Sequence, residues 1–503
     1  MRRAYRVDEV RGAEEPLLAA GEPLMDHAAY ALAQSVLRYL RSREFRVPGS
    51  TVLALVGAGN NGGDALFAAA NLARRGVAVT AACAANAHAE GIAAAKRAGV
   101  RIVMTPTPEQ VAQLGESCGV WIDGLLGIGA RGAMREPFSG WVRALNATRF
   151  ESAAEPFVVA VDVPSGLGVD DGTVPGEVLR ADRTVTMGTA KRALYLPPAC
   201  FYCGEIEEVE LGFGRYLPAQ PALAQLGDSD VADLWRVPGA QDHKYTRGVV
   251  GLMTGSAKYP GAGVLSAGGA RATGVGMVRY LGSAPQVIDR YPEVVLQDGQ
   301  VQAWVIGSGL AELDEASRVL HEAVAEGIPV ILDASALPLI YSDDVPSTVI
   351  ATPHEGELAT LLQARGESIS RAQVHEAPAR AARLAATLTG ATVVVKGAVN
   401  VIAGAHGPLY VQGGAPAWLG TAGAGDVLAG VMGALAAQYG DVLRDWGEGR
   451  GLPAQIAAAA CHVHARAAQK AAGISSSGQG VGHPIAAMDV IDALPAVIGE
   501  ILG

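Results

Sequence analysis

Aromatic side chains are scarce in this sequence. They make up 5% of 503 residues, while half of the chain is hydrophobic and glycine alone occurs 64 times. Small aliphatic residues must therefore fill the interior, which suits helices lying close against sheets. Cysteine is scarce as well. Five scattered cysteines make no disulfide framework, and Cys200 and Cys203 form a lone CxxC without the second pair a zinc site wants. Positive charge is in deficit: 39 Lys and Arg against 50 Asp and Glu give a formal charge of −11. That argues against general affinity for nucleic acid or an anionic membrane, so an anionic ligand has to be held by local groups. No apolar stretch reaches membrane-spanning length without a charge, and Met1–Val10 lacks the apolar core of a signal peptide. A cytoplasmic protein is expected, with no nucleic-acid or membrane partner.

Two unlike glycine-rich loops stand out instead. Asn60, Asn61, Gly62, Gly63 and Asp64 follow the apolar run Thr51–Val56. Gly423, Ala424, Gly425 and Asp426 precede the apolar run Val427–Ala437. Glycines at a helix N-terminus let backbone N–H groups converge on an anion, and the helix dipole adds to the attraction. Two such loops predict two sites.

The length allows two to four domains. Apolar runs and helical stretches alternate through the first 215 residues. Strands are predicted near 51–56, 77–83, 101–104, 120–122 and 157–161, with helices over 65–75 and 88–98. The rhythm breaks at 215–241, where Pro218, Pro221 and Pro238 fall. It resumes at 248, with strands near 249–254, 303–306, 330–333, 348–351 and 392–396. The expectation is two α/β domains, 1–216 and 240–503, joined by a linker over 217–239. Each is a three-layer sandwich with a mostly parallel sheet, and ligands of such sheets sit at the carboxyl ends of strands. Asn61, Asp123 and Asp162 all fall there.

The first loop, with Trp121 to Gly129 and Val161 to Leu167 in that order, resembles the NAD(P)H-hydrate epimerase domain over residues 20–215. A Rossmann-like fold is implied. Independently, a dinucleotide pyrophosphate needs backbone donors, which Asn60 to Asp64 and the loop Gly127, Ile128, Gly129, Ala130, Arg131, Gly132, Ala133 can supply. Inverting a hydroxylated ring carbon needs a group that gives and takes a proton. Asp162 is the candidate, because Pro164 and Gly166 fix a tight turn beside it. The resemblance likewise puts Asp162 on the substrate, and it implies a potassium ion held by Asn61, Asp123 and Ser165. Ala65 departs from the family, which commonly has glycine there.

The second loop alone fits any ribokinase-like fold. Its amides would stabilise a phosphoryl group in transfer, and Asp426 would take the proton of the attacking hydroxyl. Together with His243 to Gly248, Tyr259 to Gly263, Gly307 to Leu310, Thr352 to Glu357 and Val395 to Ala398, the order resembles the NAD(P)H-hydrate dehydratase domain over 240–503. The resemblance implies that Gly263, Gly309, His354 and Asp426 contact the hydrated dinucleotide. It implies that Lys396, Gly397, Ala398, Val399 and Asn400, with Gly423, Ala424 and Gly425, hold the adenine nucleotide. Gly263 stands where alanine is more usual, and Ser308 where proline is common. His462 and His464, two apart on an alanine-rich helix, read as ordinary helix residues.

The resemblance thus implies a bifunctional repair enzyme. Its substrates are hydrated NADH and NADPH (NADHX and NADPHX) and ADP, with potassium and Mg2+ as ions and a homo-oligomer as the expected assembly. The alternative is a ribokinase-like small-molecule kinase fused to a non-catalytic dinucleotide-binding module.

Overall fold

The computed structural model describes residues 1–43, 46–151, 155–445, 451–475 and 480–503. The chain divides into two compact units. One comprises Arg3–Ala222, the other Leu223–Gly503 with Met1–Arg2.

The first unit is built on a seven-stranded sheet in the order Arg101–Met104, Ala78–Cys83, Thr51–Val56, Val120–Gly124, Phe157–Val161, Arg183–Met187, Glu205–Val209. Every neighbouring pair is parallel. Alternation along Thr51–Val56 explains the layering. Val52, Ala54 and Val56 pack with Leu32, Val36 and Leu66 on one face, while Leu53 and Leu55 pack with Trp121, Trp141 and Leu145 on the other. Both faces are thus covered by helices. Strands Arg183–Met187 and Glu205–Val209 extend the sheet beyond the five expected. The helix after strand Thr51–Val56 runs Asn60–Ala73, so Asn60 to Asp64 form its opening turn rather than a loop ahead of it.

From Leu223 onward the sheet order is Leu223–Gln225, Leu409–Gln412, Asn400–Ala403, Thr392–Val395, Val349–Ala351, Val330–Leu332, Ala303–Ile306, Val249–Met253, Met277–Tyr280. The strands from Thr392–Val395 to Met277–Tyr280 are parallel, whereas Asn400–Ala403 is antiparallel to both its neighbours. The stretch read as a linker, 217–239, is structured from Leu223. It supplies the strand Leu223–Gln225 and the helix Asp228–Asp233, because Leu223, Ala224 and Val231 are apolar enough to be buried.

Glycine does in this unit what aromatics do elsewhere. Helices Pro260–Ala272 and Ala424–Gln438 touch backbone to backbone: a Cβ on Gly269 would lie 2.4 Å from the Val427 carbonyl oxygen, and one on Gly430 2.2 Å from that of Ser266. Helix Ala424–Gln438 is buried on all sides from Val427 on, which places its N-terminal loop on a rigid base at the strand ends.

Candidate active sites

In the first unit, Asn61 ties strand ends together. Its Nδ2 donates to the carbonyl oxygens of Leu126 (3.0 Å) and Val161 (2.9 Å). Asp123 is wholly buried. It accepts from the Ser165 hydroxyl at 2.6 Å and the Ser165 N–H at 2.8 Å, and Leu126 N–H donates to the Ser165 hydroxyl oxygen at 2.9 Å. Burial raises the Asp123 pKa despite these donors. The loop Gly127 to Ala133 borders the same region: a Cβ on Gly127 would stand 3.1 Å from Asn61 Oδ1, and Ile128 lines the pocket. Ala65 lies inside the helix, so no positive φ is demanded of it.

Asp162 sits at φ +67, a left-handed conformation unusual for aspartate. Its Oδ1 accepts from Met187 N–H (3.0 Å), the Thr186 hydroxyl (3.2 Å) and the Lys191 ammonium. Lys191 also donates to the Met187 carbonyl at 2.7 Å. Glu14, Asn60, Asp64, Asp162 and Lys191 all line one pocket. Burial and neighbouring acids push the pKa of Asp64 well up and that of Glu14 up. Sequence reasoning missed Lys191 and Glu14; neither lies in a glycine motif, and only the chain's return to the Asp162 strand end brings Lys191 in.

In the second unit, Asp333 is the residue missed. It follows the strand Val330–Leu332, is 2% exposed, and accepts from Ser308 (2.7 Å), Thr352 (2.7 Å) and the Lys396 ammonium. Lys396 reaches the anion loop too, for a Cβ on Gly425 would lie 3.7 Å from its Nζ. Asp426 stands in the first turn of helix Ala424–Gln438, and Gly423 at φ +89 caps that helix. Burial, then the charge of Asp333, raise the Asp426 carboxyl to about 6 against the opposing pull of Ser308 and Lys396. Gly397 N–H donates to Asn400 Oδ1 at 3.2 Å, closing the turn that carries Ala398 and Val399.

Gly309 adopts φ +73, and a Cβ there would collide with Ala262 at 2.7 Å. Gly263 is explained by Tyr280, whose hydroxyl would lie 2.5 Å from a Cβ at that position. His354 caps the helix Glu355–Ala364, its Nδ1 accepting from the N–H groups of Gly356 (3.0 Å) and Glu357 (3.3 Å). Its Nε2 lies 3.5 Å from the Glu357 carboxylate. The two histidines read as ordinary helix residues each have a specific setting. His462 bonds to Asp228 at 2.7 Å, and His464 is buried beside the Ala424 backbone with its pKa driven down to about 4 by burial.

Comparison with known proteins places both halves. Residues 21–193 match the model of the YjeF-related protein N-terminus, and residues 250–480 match that of NAD(P)H-hydrate dehydratase. A bifunctional NAD(P)H-hydrate repair enzyme of Mycobacterium leprae is 40% identical over 486 residues, spanning 93% of this chain and 94% of its own. The chain belongs to the bifunctional NAD(P)H-hydrate repair enzyme family. The Mycobacterium tuberculosis member of this family is 39% identical over 87% of the present chain and 89% of its own. Among solved structures, an ADP/ATP-dependent NAD(P)H-hydrate dehydratase from Bacillus subtilis, co-crystallised with ATP and Mg2+, aligns with a TM-score of 0.46 at 23% identity, over 55% of this chain and 98% of its own. Within this repair-enzyme chain, no described helix is long and apolar enough to cross a membrane.

Proposed function

We propose that each unit carries one of two consecutive repair steps, epimerisation of R- and S-NAD(P)HX in the first and ADP-dependent dehydration of the S epimer in the second. The observation that carries this reading is the similarity to bifunctional relatives running through both halves, each half holding its own acid at a strand end or helix start.

In the first unit Asn60 to Asp64 and Gly127 to Ala133 bind the dinucleotide, and Asp162 handles the proton at the hydroxylated carbon. Lys191 pairs with Asp162 and fixes its carboxylate in direction. Asn61, Asp123 and Ser165 suit a potassium ion. The oxygens of Asp123 and Ser165 and the carbonyls of Leu126 and Val161 gather around Asn61, and Asp123 is a buried acid that forms no salt bridge among the described residues. A bound cation would offset that charge.

In the second unit Gly263, Gly309 and His354 contact the hydrated dinucleotide, while Lys396 to Asn400 and Gly423 to Gly425 hold the nucleotide. Asp426 takes the proton of the ring hydroxyl, whose oxygen attacks the β-phosphorus of ADP and releases AMP. Phosphate then leaves the ring, restoring NADH or NADPH. A carboxyl raised to about 6 is a better base than an ordinary aspartate and still ionised at pH 7. The described residues contain no group of three or more His, Cys, Asp or Glu fit to cage a metal. That suits Mg2+, which is usually held by nucleotide phosphates with only one or two carboxylates; Asp426 is the carboxylate nearest the anion loop, and the ion would neutralise phosphate charge there.

One assay tests the whole reading: racemic NADHX supplied with ADP or ATP and followed at the absorbance of NADH. Recovery of both epimers as NADH is expected. Formation of a stable phosphorylated product from a sugar or vitamin instead would favour a kinase.

A further inference from the structure

Asp64 differs from Asp162 in one respect that the shared pocket makes important. Asp162 Oδ1 has three donors, one of them an ammonium. The Asp64 carboxyl, 9% exposed and facing the same pocket, accepts no hydrogen bond and forms no ion pair among the described residues. Ionising a carboxyl that deep without a donor is costly. Glu14 and Asp162 face it with like charge, and the cation that faces it, Lys191, is already bonded to Asp162; Arg11 lies toward Glu14. One pocket therefore holds a carboxyl bonded to an ammonium and a second carboxyl with no donor among the described residues, two environments that separate a base from an acid.

The substrate chemistry calls for such a pair. Water adds to a dihydronicotinamide as it adds to any enamine, placing oxygen on the carbon bonded to the ring nitrogen. The epimers differ at that carbinolamine carbon, and inverting it through a planar C=N intermediate breaks its C–O bond, whereas inversion through a ring-opened aldehyde would break the C–N bond and keep the oxygen.

We propose that Asp64 is a second catalytic acid of the epimerase pocket, protonating the ring hydroxyl as it departs, while Asp162 takes the proton of the water that adds to the other face. This rests on the reading of the first unit as an epimerase. The Asp64 proton moves to the hydroxyl oxygen, and the C–O bond breaks with its electron pair leaving as water. The nitrogen lone pair forms a C=N bond. A second water then adds to the opposite face, the C=N pair returns to nitrogen, and the excess proton passes to Asp162. One proton is given and one received, and pocket water returns it to Asp64 between turnovers. The reverse epimerisation exchanges the two roles.

The test uses the full-length protein, R-NADHX and water enriched in 18O, with the spontaneous reaction subtracted. The wild type should place one 18O in the S epimer per inversion; retention of the original oxygen overturns the proposal. Asp64→Asn should lower kcat for R-to-S conversion roughly 100-fold or more with little change in KM, and Asp64→Glu should recover part of it, which a packing defect would not. Wild-type kcat in Asp64→Asn, with Asp162→Asn inactive, would remove Asp64 from the mechanism and leave the epimerase reading intact. If neither variant differs from the wild type, the epimerase reading of this pocket itself fails.

Discussion

The Lys396 ammonium is bonded to the carboxylate of Asp333. The resemblance in sequence implies only that Lys396 helps to hold the adenine nucleotide. In the fold it is one arm of a buried network in which Ser308 and Thr352 hold the same carboxylate, so its charge is fixed in place beside the anion loop. Asp333 and Lys396 also act on Asp426 with opposite sign.

The pH dependence of dehydration follows from that opposition. Asp426 must be ionised to accept a proton, so kcat/KM for S-NADHX with ADP should fall as pH drops through about 6. Asp333→Asn removes a negative neighbour and should shift this limb to lower pH. Lys396→Met removes a positive one and should shift it higher. Initial rates between pH 5 and 8 for the three proteins check the order.

Lys191 is 1% exposed, and its ammonium is satisfied by Asp162, Thr186 and Met187. Lys191→Met strands the Asp162 carboxylate in a buried setting, and breaking such a pair costs about 3 kcal/mol or more. Urea unfolding should show the loss. R-NADHX consumption should fall toward the spontaneous rate, while ADP-dependent dehydration of pure S-NADHX should persist.

Adding a methyl group at Gly263 restores the residue more usual in the family, yet it should harm this chain. The new Cβ would meet the Tyr280 hydroxyl at 2.5 Å, and that hydroxyl is engaged by the Thr254 carbonyl (2.6 Å) and Ala284 N–H (3.2 Å). Gly263→Ala should cost about 1–3 kcal/mol. In a Tyr280→Phe background the same change should cost less, because the clash is relieved. A double-mutant cycle on thermal unfolding measures the difference.

Both glycine loops were legible in the sequence because each is contiguous, with its acid a few residues from its glycines. Asp162 was legible from its strand-end position beside Pro164 and Gly166. Lys191 and Asp333 were not, since the acid that Lys191 pairs with and all the side-chain partners of Asp333 come from other segments, and neither lies in a repeating pattern. The strand Arg183–Met187 was hidden by its polar residues: Thr184 and Thr186 are buried, and Thr184 offsets the cost by donating to the Cys203 carbonyl at 2.7 Å. The hairpin Asn400–Ala403 with Leu409–Gln412 was hidden by its shortness. His464 read as an ordinary helix residue because nothing in the alanine-rich run of helix Leu452–Ala471 marks the segment it packs against, the Ala424 backbone.

A potassium requirement should be confined to the first step. Replacing potassium by choline should slow R-to-S conversion and leave dehydration of the S epimer unchanged. Asp123→Asn removes the buried charge that a cation would balance, so the variant should lose any response to potassium. An Asp123→Asn protein that still responds would place the ion elsewhere.

His464 gives the second unit an acid-sensitive stability. Its folded pKa is pushed down to about 4 by burial, whereas an unfolded histidine titrates near 6.5. The unfolded state therefore binds a proton that the folded state refuses. The stabilising difference is complete above about pH 6.5 and is lost progressively as pH falls through about 4. Asn at this position keeps a polar side chain without the titration. Chemical denaturation of the wild type should show the second unit weakening between pH 6.5 and 4, and His464→Asn should flatten that slope even if its stability at pH 7.5 is lower. An unchanged slope would mean that His464 keeps its proton in the folded chain and that the acid sensitivity arises from other groups.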